Sequence, residues 1–423
     1  MATKMVIIGA GFSGIAAGYA NKKKHPLIIE SKDEFGGLCG SFVINGCRFE
    51  YGPHFSFTNN SVVREVFDKT PYIIHNPYPY NYYKGIWIRH PVQNNCYPLD
   101  TIQKIRIIKS FIERKCDVKS PNDYDEWLRM QYGDYFTDEF SAKYTRKYWC
   151  KEPSDLSTNW IEKRMYLPTL DEVLQGAMEE NTPNTYYAKE MRYPLRGGYR
   201  EFIRPALDGL DIRYSRNVIK INSVDKTLIL SNNETVHFDE LISSIPLPEI
   251  VHLIDNVPSN VISASNRLLA SSLCLVSIGF NKQVKIPSIW FYIYDEDIPF
   301  ARVHSPSMKS SQNVPEGMSS LQFELYYTHE VPLLYLEADL KQIVINTLMK
   351  MHIADETDIV FIDIRTIKYA NVIFYRGMEK DRKMVSDYLK EQNIQSIGRF
   401  GEWDYLWSDQ SFLSGFKTRS NDD

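Results

Sequence analysis

Residues 5–14 read Met-Val-Ile-Ile-Gly-Ala-Gly-Phe-Ser-Gly, an apolar run that ends in three glycines. Few features narrow so sharply what a chain can fold into. Such a run predicts a buried parallel strand feeding a tight turn and then a helix. Gly9 makes the turn, Gly11 lets backbone approach a pyrophosphate, and Gly14 lets the helix pack on the strand. Phe12 and Ser13 fall in the first helical turn, whose unpaired N–H groups face the phosphates and favour negative charge there. The next apolar run, Pro26-Leu-Ile-Ile, closes at Glu30, 21 residues beyond Gly9, and Ser31 follows. A carboxylate at that strand end can accept both hydroxyls of an adenosine ribose and disfavours a 2′-phosphate. Strand, glycines, helix and acid in register predict a dinucleotide-binding unit.

The segment after Glu30 reads Phe35-Gly36-Gly37-Leu38-Cys39-Gly40-Ser41, and Cys47-Arg-Phe-Glu50-Tyr51-Gly52-Pro53-His54 comes next. Two adjacent glycines remove the β-carbons that would block a ribityl-diphosphate chain crossing the loop. With these residues the chain resembles the large flavoprotein group that contains amine oxidases, protoporphyrinogen oxidases and UDP-galactopyranose mutases. The resemblance implies FAD as cofactor, held by Gly9, Gly11, Phe12, Ser13, Gly14, Glu30, Ser31, Gly36, Gly37 and Leu38. It also implies an α/β fold with a non-contiguous Rossmann-like FAD-binding domain over 1–75, 193–250 and 386–423. A helical and hairpin insertion is expected over 76–192, and a second, mixed-sheet substrate domain over 251–385.

Residues 51–59 resemble a mutase signature, and the match implies that His54 packs near the reactive edge of the flavin and serves both site and cofactor. The turn Tyr193–Tyr199 is similar to the one that returns the chain to the cofactor domain, with the strand at Val218 beside the adenine. Ile397-Gly398-Arg399-Phe400 through Tyr405 resembles the segment that closes the flavin site, with Trp403 in place of its first tyrosine. That similarity adds Gly398, Arg399 and Asp409 as cofactor contacts, where a helix start would favour negative charge on the ring. Tyr405 would contact a substrate phosphate. Arg164 matches one clamp arginine, but Pro168 stands where the second is expected and Trp407 replaces an acid. Arg302 and Arg196 are candidates for the missing cation, or surface ion-pair residues.

Two chemistries follow from the resemblance. The first expectation is an FAD-dependent oxidoreductase that moves a hydride to flavin N5, acting on a sugar-containing or glycan-biosynthesis intermediate. The alternative is a mutase-like isomerase in which reduced FAD drives a non-redox ring contraction of a nucleotide sugar. No metal is expected: cysteines 39, 47, 96, 116, 150 and 274 lack metal-like spacing, and they read as reduced thiols of a cytoplasmic protein. A net charge of −4 gives no global attraction to nucleic acid or to an anionic membrane, while leaving room for a local basic face. No run of 18 apolar residues exists, so no transmembrane segment is expected. In 102–115 the apolar positions 102, 105, 108 and 112 mark one face of a helix, and the basic residues opposite read as a solvated face, with peripheral membrane contact as the alternative. The 28 tyrosines suit a cleft for a polar, ring-shaped small molecule, although most tyrosines fill cores.

Overall fold

The computed structural model describes residues 4–115, 120–161, 164–185 and 188–419. Met5–Ile8 is the central strand of a five-stranded parallel sheet, flanked by Leu27–Ile29 and Asp211–Arg213 on one side and Glu240–Ser243 and Ile394–Ser396 on the other. Its side chains are buried at every position because both faces are covered. Val6, Ile8, Leu27 and Ile29 pack with Val218, Leu228 and Leu230 of a three-stranded antiparallel meander. Met5, Ile7 and Ile28 pack instead with Ile15, Ala16 and Ala17 of helix Phe12–Ala20. Helix Ser408–Phe416 lies against that helix so closely that a β-carbon on Gly415 would sit 1.9 Å from the Ser13 carbonyl oxygen. Three stretches of sequence far apart in the chain thus build one α/β layer.

A seven-stranded sheet forms the second unit, in the order Ile359–Val372, Ala270–Phe280, Ser319–Tyr327, Arg302–His304, Trp290–Ile293, Tyr80–Tyr83, Ile86–Arg89. The hairpin at residues 80–89 turns at Lys84-Gly85 and joins this sheet parallel to Trp290–Ile293. Helix Glu337–Lys350 covers one face through Leu340, Val344 and Leu348. Among the helices of the intervening segment, Ala142–Trp149 packs on strand Ser319–Tyr327, and Thr101–Glu113 packs against Tyr124–Tyr132 and Leu170–Met178. Five cysteines are buried free thiols, and Cys116 lies outside the described residues.

One element departs from its sequence reading. In Thr101–Glu113 the buried side chains are Ile107 and Phe111, whereas Ile102, Ile105 and Ile112 face outward. Two apolar stripes compete on this helix, and the one carrying Phe111 has Leu128, Tyr132 and Phe136 to bury against. The basic residues do not form the opposite face: Arg106 and Lys109 are exposed beside the isoleucines, and Lys104 reaches in to the carbonyls of Tyr97 and Ala177 at 2.9 and 3.4 Å.

Candidate active site

A cavity of about 1030 Å³ runs between the two units. At one end its wall is main chain. Gly9 has φ +98°, and a β-carbon there would meet Ser244 Oγ at 2.3 Å; one on Gly14 would meet the Gly9 carbonyl oxygen at 1.9 Å. Only glycine lets strand, turn and helix close this tightly. Gly36 and Gly37 have φ +113° and +58°, and Gly36 N–H donates to the Ala10 carbonyl at 2.9 Å, which draws the double-glycine loop against the first turn. Helix Phe12–Ala20 starts at Gly11 with no side-chain cap and no acid in its first turn, so its N–H groups are left for an anion. Glu30 is buried at the cavity edge, accepting from Ala10 N–H at 2.6 Å and Lys32 N–H at 2.9 Å.

The middle of the cavity is set by His54. Its ring stacks on Tyr199 with centroids 5.4 Å apart, and its Nδ1 is sealed from solvent without a hydrogen-bond partner among the described residues. Burial, aided by the charges of Lys309, Arg302 and Arg399, pushes its pKa down to about 3, so the imidazole is neutral. Behind it lies a dry ion pair: Lys309 Nζ donates to Glu50 at 2.7 Å with both groups buried, and Glu50 also accepts from Tyr193 Oη at 2.8 Å and Tyr199 N–H at 2.5 Å. Burial lowers the Lys309 pKa while Glu50 opposes that shift.

The far end is aromatic and cationic. Tyr405 Oη shares a hydrogen bond of 3.2 Å with Tyr148 Oη, and two guanidiniums lie over its ring, Arg164 at 4.8 Å and Arg399 at 4.6 Å from the centroid. Backbone carbonyls hold Arg164 in place, Trp160 O at 2.9 Å and Tyr405 O at 2.5 Å. Arg399 donates to Asn371 Oδ1 at 2.7 Å and to the Leu406 carbonyl at 3.3 Å. Arg302 also lines the cavity, but Glu324 matches its charge through a two-pronged contact at 2.8 and 3.1 Å, with Tyr326 Oη donating to Glu324 at 2.7 Å. The Tyr144 hydroxyl is enclosed and has no partner among the described residues.

Of the residues singled out from sequence, thirteen line this cavity: Gly9, Gly11, Phe12, Ser13, Glu30, Gly36, Gly37, Leu38, His54, Arg164, Arg302, Arg399 and Tyr405. Five others lie outside its lining, as does Arg196. Gly14 and Gly398 act one layer behind, and a β-carbon on Gly398 would sit 2.3 Å from Ser13 Oγ. Ser31 Oγ donates to Glu30 at 3.3 Å, Asp409 is in the first turn of Ser408–Phe416, and Val218 is a core residue of the meander. Glu324, Lys309, Asn371 and Tyr148 escaped the sequence reading. Glu324 did leave a trace, as the one acidic residue in the otherwise uncharged strand Ser-Ser-Leu-Gln-Phe-Glu-Leu-Tyr-Tyr.

Residues 7–70 match the NAD(P)-binding Rossmann-like domain family. A UDP-galactopyranose mutase of Mycoplasma genitalium is 41% identical over 64 residues, 14% of this chain. The matched segments span 16% and 51% of the lengths of the two curated relatives. A structure of reduced UDP-galactopyranose mutase superposes with TM-score 0.92 at 24% identity, covering 99% of this chain and 94% of the other. A provisionally assigned protoporphyrinogen oxidase from Exiguobacterium gives 0.76 at 16% identity over 99% and 98%, and a putrescine oxidase redesigned in its cofactor binding gives 0.65 at 14% over 99% and 98%. The chain shares the mixed α/β fold of these structures, and its residues 7–70 form the Rossmann-like part of it.

Proposed function

We propose that this chain binds FAD and rearranges a nucleotide sugar in the cytoplasm without net redox change. One observation carries the reading: a single cavity runs from the glycine cradle past His54 to Tyr405, where Arg164 and Arg399 converge. The residues fit the cofactor, because the two glycine turns leave a trough without β-carbons and the adjoining helix start is uncapped. When bound, FAD supplies the electron-pair chemistry of its N5 atom, as nucleophile when reduced or hydride acceptor when oxidised.

The chain's own groups bind, orient and exclude water. The start of helix Phe12–Ala20 holds the cofactor diphosphate, and Glu30 takes a ribose. His54, kept neutral, packs at the reacting centre without adding charge. Arg164 and Arg399 hold the substrate diphosphate and stabilise the negative charge that grows there as its bond to the sugar breaks. Each charge-assisted hydrogen bond is worth about 1.5–3 kcal/mol. Arg399, taken from sequence as a cofactor contact, supplies a second guanidinium at Tyr405 and so answers the loss at Pro168. Tyr144, Tyr148 and Tyr326 offer hydroxyls and ring faces to a sugar.

Hydride transfer from a substrate carbon to FAD, the oxidoreductase reading, is favoured by one feature: Glu324 already matches the charge of Arg302, leaving fewer cations for a diphosphate. A panel of nucleotide sugars tested on purified protein with and without dithionite separates the two. Turnover that needs prior reduction and consumes no oxidant is expected; turnover coupled to flavin reduction by substrate establishes the oxidoreductase instead. A correctly folded protein that takes up no FAD defeats both.

A further inference from the structure

We infer that the outer face of helix Thr101–Glu113 docks on an anionic lipid surface. Ile102, Ile105 and Ile112 are 65%, 58% and 59% exposed on this helix, far from the pattern of a core element. Lys104 bridges the carbonyls of Tyr97 and Ala177, which sets the 68% exposed Met178 beside the same face. The apolar stripe does not stand alone. Residues 101–115 hold five basic side chains and one acidic one, in a chain whose net charge is −4. Arg106, Lys109 and Lys115 are exposed around the isoleucines, with Lys109 3.8 Å from Glu113 in an exposed pair that an anionic surface can outcompete.

An apolar stripe edged with cations is the composition of a helix that lies in a membrane interface, with rings and branched chains below the headgroups and ammonium groups reaching up to phosphates. Charge selects this occupant over a second copy of the chain, since a two-fold contact would set the same basic face against itself. No helix among the described residues is long and apolar enough to cross a membrane, so the contact is peripheral. The face is also continuous with the cavity: Leu167 is exposed and lines the cavity, and helix Leu170–Met178, which follows it, packs beside Thr101–Glu113.

The test is co-sedimentation of the full-length protein with sucrose-loaded vesicles, of phosphatidylcholine alone and of phosphatidylcholine mixed with phosphatidylglycerol. Binding is expected to the anionic vesicles, to be weaker by about tenfold on the neutral ones, and to fall with added salt. Ile105→Asp with Ile112→Asp should abolish it, and Arg106→Glu with Lys109→Glu should weaken it, each with an unchanged circular-dichroism melt. Should the isoleucine variant fail to fold, the charge-reversal variant decides. No sedimentation with anionic vesicles overturns the inference, as does sedimentation that neither variant alters. A dimer by light scattering that Ile105→Asp dissociates would overturn it too, by assigning the face to a second copy.

Discussion

The two ends of the cavity are built from different material. The nucleotide end is main chain: glycines, a helix start and strand edges, with one acid from a strand end. The Tyr405 end is side chain: aromatic rings and three arginines delivered by segments as distant as 144–148, 302–326 and 399–405. A main-chain wall is intolerant of any added atom but indifferent to the ligand beyond its phosphates. A side-chain wall tolerates exchange of single groups and sets what is recognised.

Substitutions can break this contrast, and the largest effect belongs to the main-chain end. Gly14→Val puts a β-carbon where the Gly9 carbonyl oxygen stands, 1.9 Å away. It should cost more than about 4 kcal/mol and leave protein that retains no flavin, read from the absorbance ratio of the purified product. Next is Glu324→Gln, which leaves the Arg302 guanidinium at the cavity wall without its buried carboxylate; a loss of about 2–3 kcal/mol is expected in urea unfolding, since cavity solvent can reach the arginine. Replacing both, Arg302→Met with Glu324→Leu, should restore most of that stability but not activity. A stable double variant with full turnover would remove this pair from the recognition wall.

Arg399→Ala should be smaller. About a tenfold rise in KM for a diphosphate substrate, with folding retained, is the expected result of steady-state kinetics. An unchanged KM would leave Arg164 as the only cation acting at Tyr405. The test that leaves every side chain in place is pH. Burial lowers the pKa of His54 to about 3 and of His90 to about 4, against about 6.5 in an unfolded chain. Between those values the unfolded chain binds more protons, so stability is full above pH 6.5 and falls on acidification towards pH 4. The slope is about 1.4 kcal/mol per pH unit for each proton. His90→Gln should flatten denaturation midpoints measured across that range; an unaltered slope would place the protons elsewhere.

The same contrast explains what could be read from the sequence. The glycine turns, Glu30 and the strand–helix–strand order were legible because each is a local backbone requirement, satisfied within a few residues. Helical sequence at 125–140 and 141–149 and strand-like runs at 273–280, 319–326 and 359–367 were also legible, and the strands extend a few residues beyond those runs. Helix Thr101–Glu113 was misread because two apolar stripes share it, and which one is buried depends on Tyr132 and Phe136, which come from other elements. The Arg302–Glu324 pair forms across two neighbouring strands 22 residues apart, and Arg164 meets Arg399 only through tertiary folding across more than two hundred residues. No local pattern encodes them.

Glu50 ties the strand Cys47–Glu50 to Tyr193, to the turn at Tyr199 and to Lys309 of the seven-stranded unit. A jaw-like swing of the two units would tear an ammonium from its carboxylate with no water to receive either. The cavity between the halves therefore keeps its width while they stay riveted together.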